Sequence, residues 1–399
     1  MQNICSPHDI VNLFYFSRLY LYTHSHRDST FRQTFKKAKP KLTIYMRRLS
    51  VSAVLACLQQ RVPANDFLCY DISSLLDEDS QRQIHQLLVE IAKTNPFYVK
   101  VFLSRYIRLL ESQTDVAEEL YELVCDSSIL GATEPSATAT DVLRYGVGSK
   151  ATVAIRENPK VISGHGTTGL RTWEAALYLL NMLNTPGALG PLDLRGRRIV
   201  ELGAGTGLVS LALLQQKDVH QFSHIIVTDG DTALVENLQP TFALNGVQLH
   251  RGDKDYGAEG QADEMQSGNI CGSGPCAFAQ QLLWGTTNRQ SSSFIQEAPQ
   301  ADIVVAADVT YDKLIVPQLC DTIGDFLVGG TTAVFVAATV RNLETLEVWE
   351  KELDRRFVWR TQCVASDPHL LEMDCWFKKG TPEIRIYHIS GVISRVEAS

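Results

Sequence analysis

The sequence predicts an α/β protein: an open, mostly parallel sheet with an antiparallel hairpin at one edge, preceded by a small helical domain. Three observations predict it. Short apolar strands alternate with helical stretches from residue 198 to residue 353, the rhythm of a parallel sheet covered by helices on both faces. Two further strands, 357–364 and 383–389, have no good helix between them and read as a hairpin. Ahead of the sheet, residues 71–126 repeat apolar side chains at three- and four-residue steps, the period of helices with one buried face.

Composition sets the outer limits. The chain has 399 residues, room for two or three units at about 150 residues each. It is 45% hydrophobic and 21% charged, with a net charge of −8. That acidity argues against a general nucleic-acid binder, which needs a basic face, so no direct nucleic-acid partner is expected. No apolar run reaches the ~18 residues of a membrane span. Residues 10–22 are broken by Asn12, Ser17 and Arg18 and are followed by no small-residue cleavage site. Nine cysteines at irregular spacings, none in a Cys-x-x-Cys pair, read as reduced thiols. The nearest pair is Cys271 and Cys276, and no metal site is expected.

In chain order, residues 1–50 carry nine Lys/Arg against Asp9 and Asp28. They read as a basic disordered arm or as sequence upstream of a start at Met46; a transit peptide is the third reading. Residues 51–126 form the helical domain. Ile84, Leu87, Leu88 and Ile91 mark one helix; Val99, Phe102, Leu103, Tyr106 and Leu110 a second; Val116, Leu120, Leu123 and Val124 a third. Pro96 separates the first two, and Asp115 is placed to cap the third. Residues 127–150 are a linker, opening on Ser, Ala, Thr, Gly and Pro. The domain at 151–399 begins with short strands at 151–155 and 160–162, a loop at 164–169 and a helix opened by Thr172 and Trp173. Strand 198–202, helix 208–216, strand 225–228 and helix 233–244 follow. Residues 251–275 are too polar to bury a core and read as an inserted loop. Next come a strand at 277–284, a polar loop at 286–298, strand 303–307, helix 314–327, strand 332–338 and helix 343–353. With the hairpin, the sheet has seven strands.

The chemistry lies at the strand ends. Strand 198–202 contains Glu201 and runs into Gly203, Ala204, Gly205 and Gly207. Glycines let backbone approach a ligand closely, and the following helix points free N–H groups and its positive end at it. Gly-x-Gly-x-Gly is tighter than the dinucleotide spacing Gly-x-Gly-x-x-Gly. It suits a nucleoside ligand without pyrophosphate, such as S-adenosylmethionine. Asp229, ending the next strand, can accept hydrogen bonds from ribose hydroxyls, while Asp231 is the better helix cap. Asp308 and Tyr311 follow strand 303–307, where ligands of open α/β sheets sit. Asp308 can accept a hydrogen bond from an attacking lysine amine and orient it; Tyr311 can wall the channel or bond the amine. Trp173 and Trp284 border the same region. His165 reads as a bystander, and no hydrolase triad or His-x-x-x-His pair is present.

Gly166-Thr167-Thr168-Gly169-Leu170, followed by Thr172-Trp173-Glu174-Ala175-Ala176-Leu177-Tyr178-Leu179, resembles a signature of the seven-β-strand protein-lysine methyltransferases. Within that group the chain most resembles the elongation factor 2 lysine methyltransferases. Three further segments carry the likeness: Val200 to Leu208, Ala306 to Asp312, and Ala338-Thr339-Val340-Arg341-Asn342 with Glu344 and Thr345. The last is the most specific to the subfamily. The region from Phe97 to Leu110 resembles the family's N-terminal helical domain, and the likeness spans roughly residues 70–390. It implies a Rossmann-like, seven-stranded methyltransferase fold. It also implies S-adenosylmethionine contacts at Trp173, the Gly203–Gly205 turn, Asp229, Trp284 and Ala307. The implied substrate is a lysine of elongation factor 2, in the cytoplasm; separately, a monomer is expected. Leu283 departs from the pattern, standing where the family often has an acid. The alternatives are a methyltransferase of the same fold acting on another protein or a small molecule, and an inactive adaptor. A nicotinamide oxidoreductase is disfavoured by the loop spacing and the missing general acid.

Overall fold

The computed structural model describes residues 48–393, apart from 149–150, 162, 164–166, 252–274, 286–300 and 372. The arm up to residue 47, the insertion from 252 to 274, the 286–298 loop, His165 and Cys271 therefore lie outside the described residues. Met46–Ser399 forms one compact unit.

Six helices open it: α1 Val51–Gln59, α2 Ala64–Phe67, α3 Glu78–Ala92, α4 Pro96–Glu111, α5 Glu118–Cys125 and α6 Ser127–Leu130. Their starts follow from capping chemistry. Asp77 accepts the Ser80 amide at 2.9 Å, and Asn95 accepts that of Tyr98 at 3.0 Å, with Pro96 in the first turn. Asp115 does not cap α5. The helix starts at Glu118, and the free amide of Ala117 is met at 2.8 Å by Gln81 Oε1, reaching over from α3. Phe67, Ile84, Leu88, Phe102, Tyr106 and Leu110 pack into one apolar cluster among these helices.

Next, β1 Asp141–Gly146 and β2 Thr152–Glu157 pair antiparallel. β1 falls in the expected linker. Its inward residues are Asp141, Leu143 and Tyr145, and a charged residue at an inward position hides the alternation. Asp141 is buried because Arg61 (3.2 Å) and Asn95 (2.7 Å) bond its carboxylate. Of the second short strand expected at 160–162, Lys160 and Val161 lie in the turn after β2, and residue 162 is outside the described residues.

The remaining elements are α7 Glu174–Asn184, β3 Arg198–Leu202, α8 Leu208–Gln215, α9 Lys217–His220, β4 His224–Asp229 and α10 Thr232–Leu244. They continue with β5 Leu249–Arg251, β6 Cys276–Gln281, β7 Ile303–Ala307, α11 Val316–Val328, β8 Ala333–Thr339, α12 Leu343–Arg356, β9 Phe357–Ala365 and β10 Ile384–Val392. The sheet runs β5-β6-β4-β3-β7-β8-β10-β9. All pairs are parallel except those of β10, which lies antiparallel to both β8 and β9. The mostly parallel sheet with an antiparallel edge is the one the sequence predicts. Among the described residues it has one more strand than the seven expected, the three-residue β5, too short to show a period.

Both faces of the sheet are covered, so its central strands are mostly apolar, with Glu201 of β3 and Asp229 of β4 as polar exceptions near their carboxyl ends. Ile303 and Val305 of β7 join one core with α7, α8 and α10; Val304 and Ala306 join the other with α11 and α12. Chain order leaves β3 toward β4 and returns on its other side at β7. That reversal opens a crevice at the carboxyl ends of these strands.

Six described cysteines are free, whereas Cys276 at the start of β6 is disulfide-bonded. That departs from the expectation of reduced thiols throughout.

Removing one partner of a buried ion pair leaves the other charge stranded. Asp141→Ala, which strands Arg61, is therefore expected to lower the unfolding free energy by about 3 kcal/mol or more. Urea denaturation reads this directly, and an unmoved midpoint would show that the pair contributes nothing.

Candidate active site

The crevice holds a cavity of about 530 Å³, within the range of small-molecule sites, roughly 300–1,000 Å³. Trp173, Glu201, Gly203, Ala204, Gly205, Asp229, Trp284, Ala307, Asp308 and Tyr311 all line it. The ten residues singled out in the sequence come from five separate segments and meet at one place.

The turn after β3 is left-handed at Gly203 (φ 62°) and Gly205 (φ 53°), a conformation costly for any residue with a Cβ. The glycines are required for a second reason. A Cβ on Gly203 would lie 2.7 Å from Val309 and 3.1 Å from Trp284, and one on Gly205 would lie 3.3 Å from Gly169. The close approach is to the protein's own segments, where the sequence suggested approach to a ligand.

Two acids brace this turn. Glu201 is buried and accepts both the amide and the hydroxyl of Ser210, in the first turn of α8. Asp229 accepts the amides of Gly205 at 2.9 Å and Asp231 at 3.0 Å. Asp231 caps α10, as its position suggested. Burial pushes Glu201 up to about 7, with the Asp229 charge adding to the rise. Burial also raises Asp229, against hydrogen bonds from Asp231 and Gly205 that lower it. Two buried acids strained toward neutrality favour a cationic ligand, since a nearby positive charge stabilises their ionised forms.

At the far wall, Asp308 is a non-glycine residue with φ 55°. Its amide bonds the Ala337 carbonyl at 2.8 Å. Its carboxylate accepts the Thr339 amide (2.9 Å), the Thr339 hydroxyl (3.0 Å), the Ala175 amide (3.3 Å) and two nitrogens of Arg341 (3.1 and 3.2 Å). A carboxylate offers about four lone-pair sites, so Asp308 is saturated. Arg341 also binds Glu174 and lies over the Trp173 ring at 4.7 Å, with Arg171 over the same ring at 4.4 Å. Trp173 donates its indole N–H to the Thr168 carbonyl at 2.9 Å. Tyr311 is 55% exposed at the rim. Trp284 lines the cavity with a buried Nε1 that has no hydrogen-bond partner among the described residues, a donor available to a ligand.

Arg171, Glu174 and Arg341 were given no role from sequence. Arg341 and Glu174 stand inside the motifs quoted, but nothing in their spacing says that residues 167 positions apart form an ion pair.

The comparisons agree with one another. A family model described as lysine methyltransferase matches residues 158–253. The chain is 31% identical over 264 residues to the human protein-lysine N-methyltransferase EEF2KMT, covering 65% of this chain and 70% of that protein. The chain belongs to the lysine methyltransferase family. It is also 29% identical over 329 residues to the protein-lysine N-methyltransferase EFM3 of Saccharomyces cerevisiae, covering 75% of this chain and 87% of the relative. A second EFM3, from Chaetomium thermophilum, is 32% identical over 235 residues, or 58% of this chain and 61% of the relative. The enzyme is thus a protein-lysine methyltransferase that uses S-adenosylmethionine. The residues fit that sulfonium cofactor: acids raised by burial, an unpartnered indole donor and a cavity of suitable size.

The raised Glu201 makes stability depend on pH. The folded state holds its proton to about 7, whereas 4.5 is the ordinary value. The folded state thus binds more protons across that window, and stability falls as pH rises through it. Glu201→Gln lacks this titration. Its stability relative to the wild type is expected to improve by about 3 kcal/mol between pH 4.5 and pH 8. Denaturation of both proteins at the two pH values would detect this, and a constant difference would rule out the raised value.

Proposed function

We propose that this enzyme methylates a lysine of translation elongation factor 2 in the cytoplasm, by direct transfer from S-adenosylmethionine. The observation that carries the reading is the convergence of the ten residues on one cavity at the switch point of the sheet. The likeness to EFM3 and EEF2KMT over most of the chain supports the protein substrate.

In this reading the Gly203–Gly205 turn and Ala204 cradle the cofactor, and Asp229 accepts from its ribose hydroxyls with lone pairs that Gly205 and Asp231 leave free. Trp284 donates its unpartnered Nε1, and its ring with Trp173 and Ala307 flanks the cofactor's apolar edges. When bound, S-adenosylmethionine supplies an electrophilic methyl group on sulfur. The methyl would be accepted by the neutral amine of the substrate lysine, which Tyr311 and the walls of the cavity would hold in line with it. What the chain supplies is alignment and exclusion of water, which can account for much of the rate. Tyr311, at the rim, meets the lysine side chain. Asp308, with every lone pair engaged, acts as a positioning residue that fixes the end of β7. Accepting the amine directly would require it to release Arg341.

Asp229→Ala is expected to weaken cofactor binding by roughly 10- to 100-fold, the worth of hydrogen bonds to a charged group. Calorimetry with S-adenosylmethionine measures it. Intact mass of elongation factor 2 after incubation with enzyme and cofactor tests the substrate: a mass gain in multiples of one methyl group is expected. No gain, with cofactor binding intact, would redirect the search to another protein.

A further inference from the structure

A second cavity, of about 650 Å³, lies between the N-terminal helices and the β1–β2 hairpin with the start of α7. It shares Arg171 and Thr172 with the cofactor cavity, so the two are separated by a single stretch of chain. Helix α4 supplies one wall and uses two faces to do so. Val99, Phe102, Leu103, Tyr106 and Leu110 face the helical core. Phe97, Val101 and Arg105, spaced four apart and so stacked on one side of the helix, line the cavity, with Phe102 at the edge of both faces. Val101 is 37% exposed, and Trp376 and Phe377 line the cavity with it.

The charges around this cavity are nearly all matched. Arg61 pairs with Asp141, Lys160 with Glu134, Arg171 with Glu174 and Lys378 with Asp66. Glu157 is buried under the Thr172 amide and the Tyr145 hydroxyl. Arg105 is the one cation of the lining without an ion pair or hydrogen bond among the described residues. An apolar stripe ending in an unmatched cation is complementary to a segment that carries an apolar side chain beside a carboxylate.

We infer that this cavity is the docking cleft for the protein substrate, and that it takes an apolar–acidic segment of the polypeptide beside the target lysine. The inference rests on the protein-lysine reading above. Its argument is continuity: a lysine side chain entering the cofactor cavity leaves its flanking backbone outside. The Arg171–Thr172 wall puts the cleft next to the cofactor cavity. A lone alkylamine carries little information, so discrimination among proteins has to come from such neighbouring contacts.

The test uses the full chain, elongation factor 2 as the probe and two variants at exposed positions, Arg105→Glu and Val101→Asp. Each is expected to raise KM for elongation factor 2 about five-fold or more. In both, kcat, the S-adenosylmethionine affinity and the melting temperature stay at wild-type values. Arg105→Glu is further expected to flatten the dependence of KM on salt. KM within two-fold of wild type in both variants overturns the inference, and so does a fall in kcat at constant KM. A wild-type enzyme that binds cofactor but leaves elongation factor 2 unmethylated overturns the substrate reading, and the docking inference with it. The two failures are therefore distinguished by the wild-type lane.

Discussion

Five donors converge on the carboxylate of Asp308, and one wall of the candidate site is built around that convergence. They come from the end of β8, the first turn of α7 and the guanidinium of Arg341. β7 would otherwise leave the sheet with an extended or helical residue; here it turns left-handed. For a residue with a Cβ that conformation costs of order 1–2 kcal/mol, and charge-assisted hydrogen bonds of this number offset it. The strain is held in place by the same bonds that tie three elements together. Ala307 and Val309, on either side, are thereby fixed at the cavity wall.

This changes what an acid after the strand means. From sequence, an Asp at that position reads as a partner for the substrate amine. In the structure each of that carboxylate's lone pairs is engaged by the chain itself. The distinction is invisible in one dimension because Ala175 and Arg341 lie 133 and 33 residues away. What the sequence does contain is the residue types: Thr339 and Arg341 stand in the segment most specific to the subfamily.

Legibility elsewhere follows the same logic. β3, β4 and β7 are buried on both faces, so apolar runs betray them even where Glu201 interrupts β3, and Ile303–Ala307 falls where the sequence puts it. The glycine turn is readable because left-handed backbone needs glycine. β1 is unreadable because one of its inward positions is an aspartate, intelligible only beside Arg61. β5 is unreadable because three residues carry no period. The start of α5 is set by Gln81 across a helix interface, so no local cap predicts it. Local physics is legible in sequence; polar groups satisfied by distant partners are not.

The segment from Gly169 to Glu174 shows how these distant partners add up. Gly169 packs against Gly205 so closely that neither position has room for a Cβ without movement. The Thr172 hydroxyl meets that of Thr206 at 2.9 Å, and its amide reaches the buried Glu157 of β2. Trp173 carries two guanidinium groups, and Glu174 pairs with both of them. Six residues thus touch the β1–β2 hairpin, the glycine turn and the Asp308 hub, and they form the wall between the two cavities. Close packing transmits displacement instead of absorbing it. A shift of this segment would move the cofactor turn and the Arg341–Asp308 pair together. The side of the segment facing the helical layer is therefore packed in one continuous unit with the side facing the first cavity.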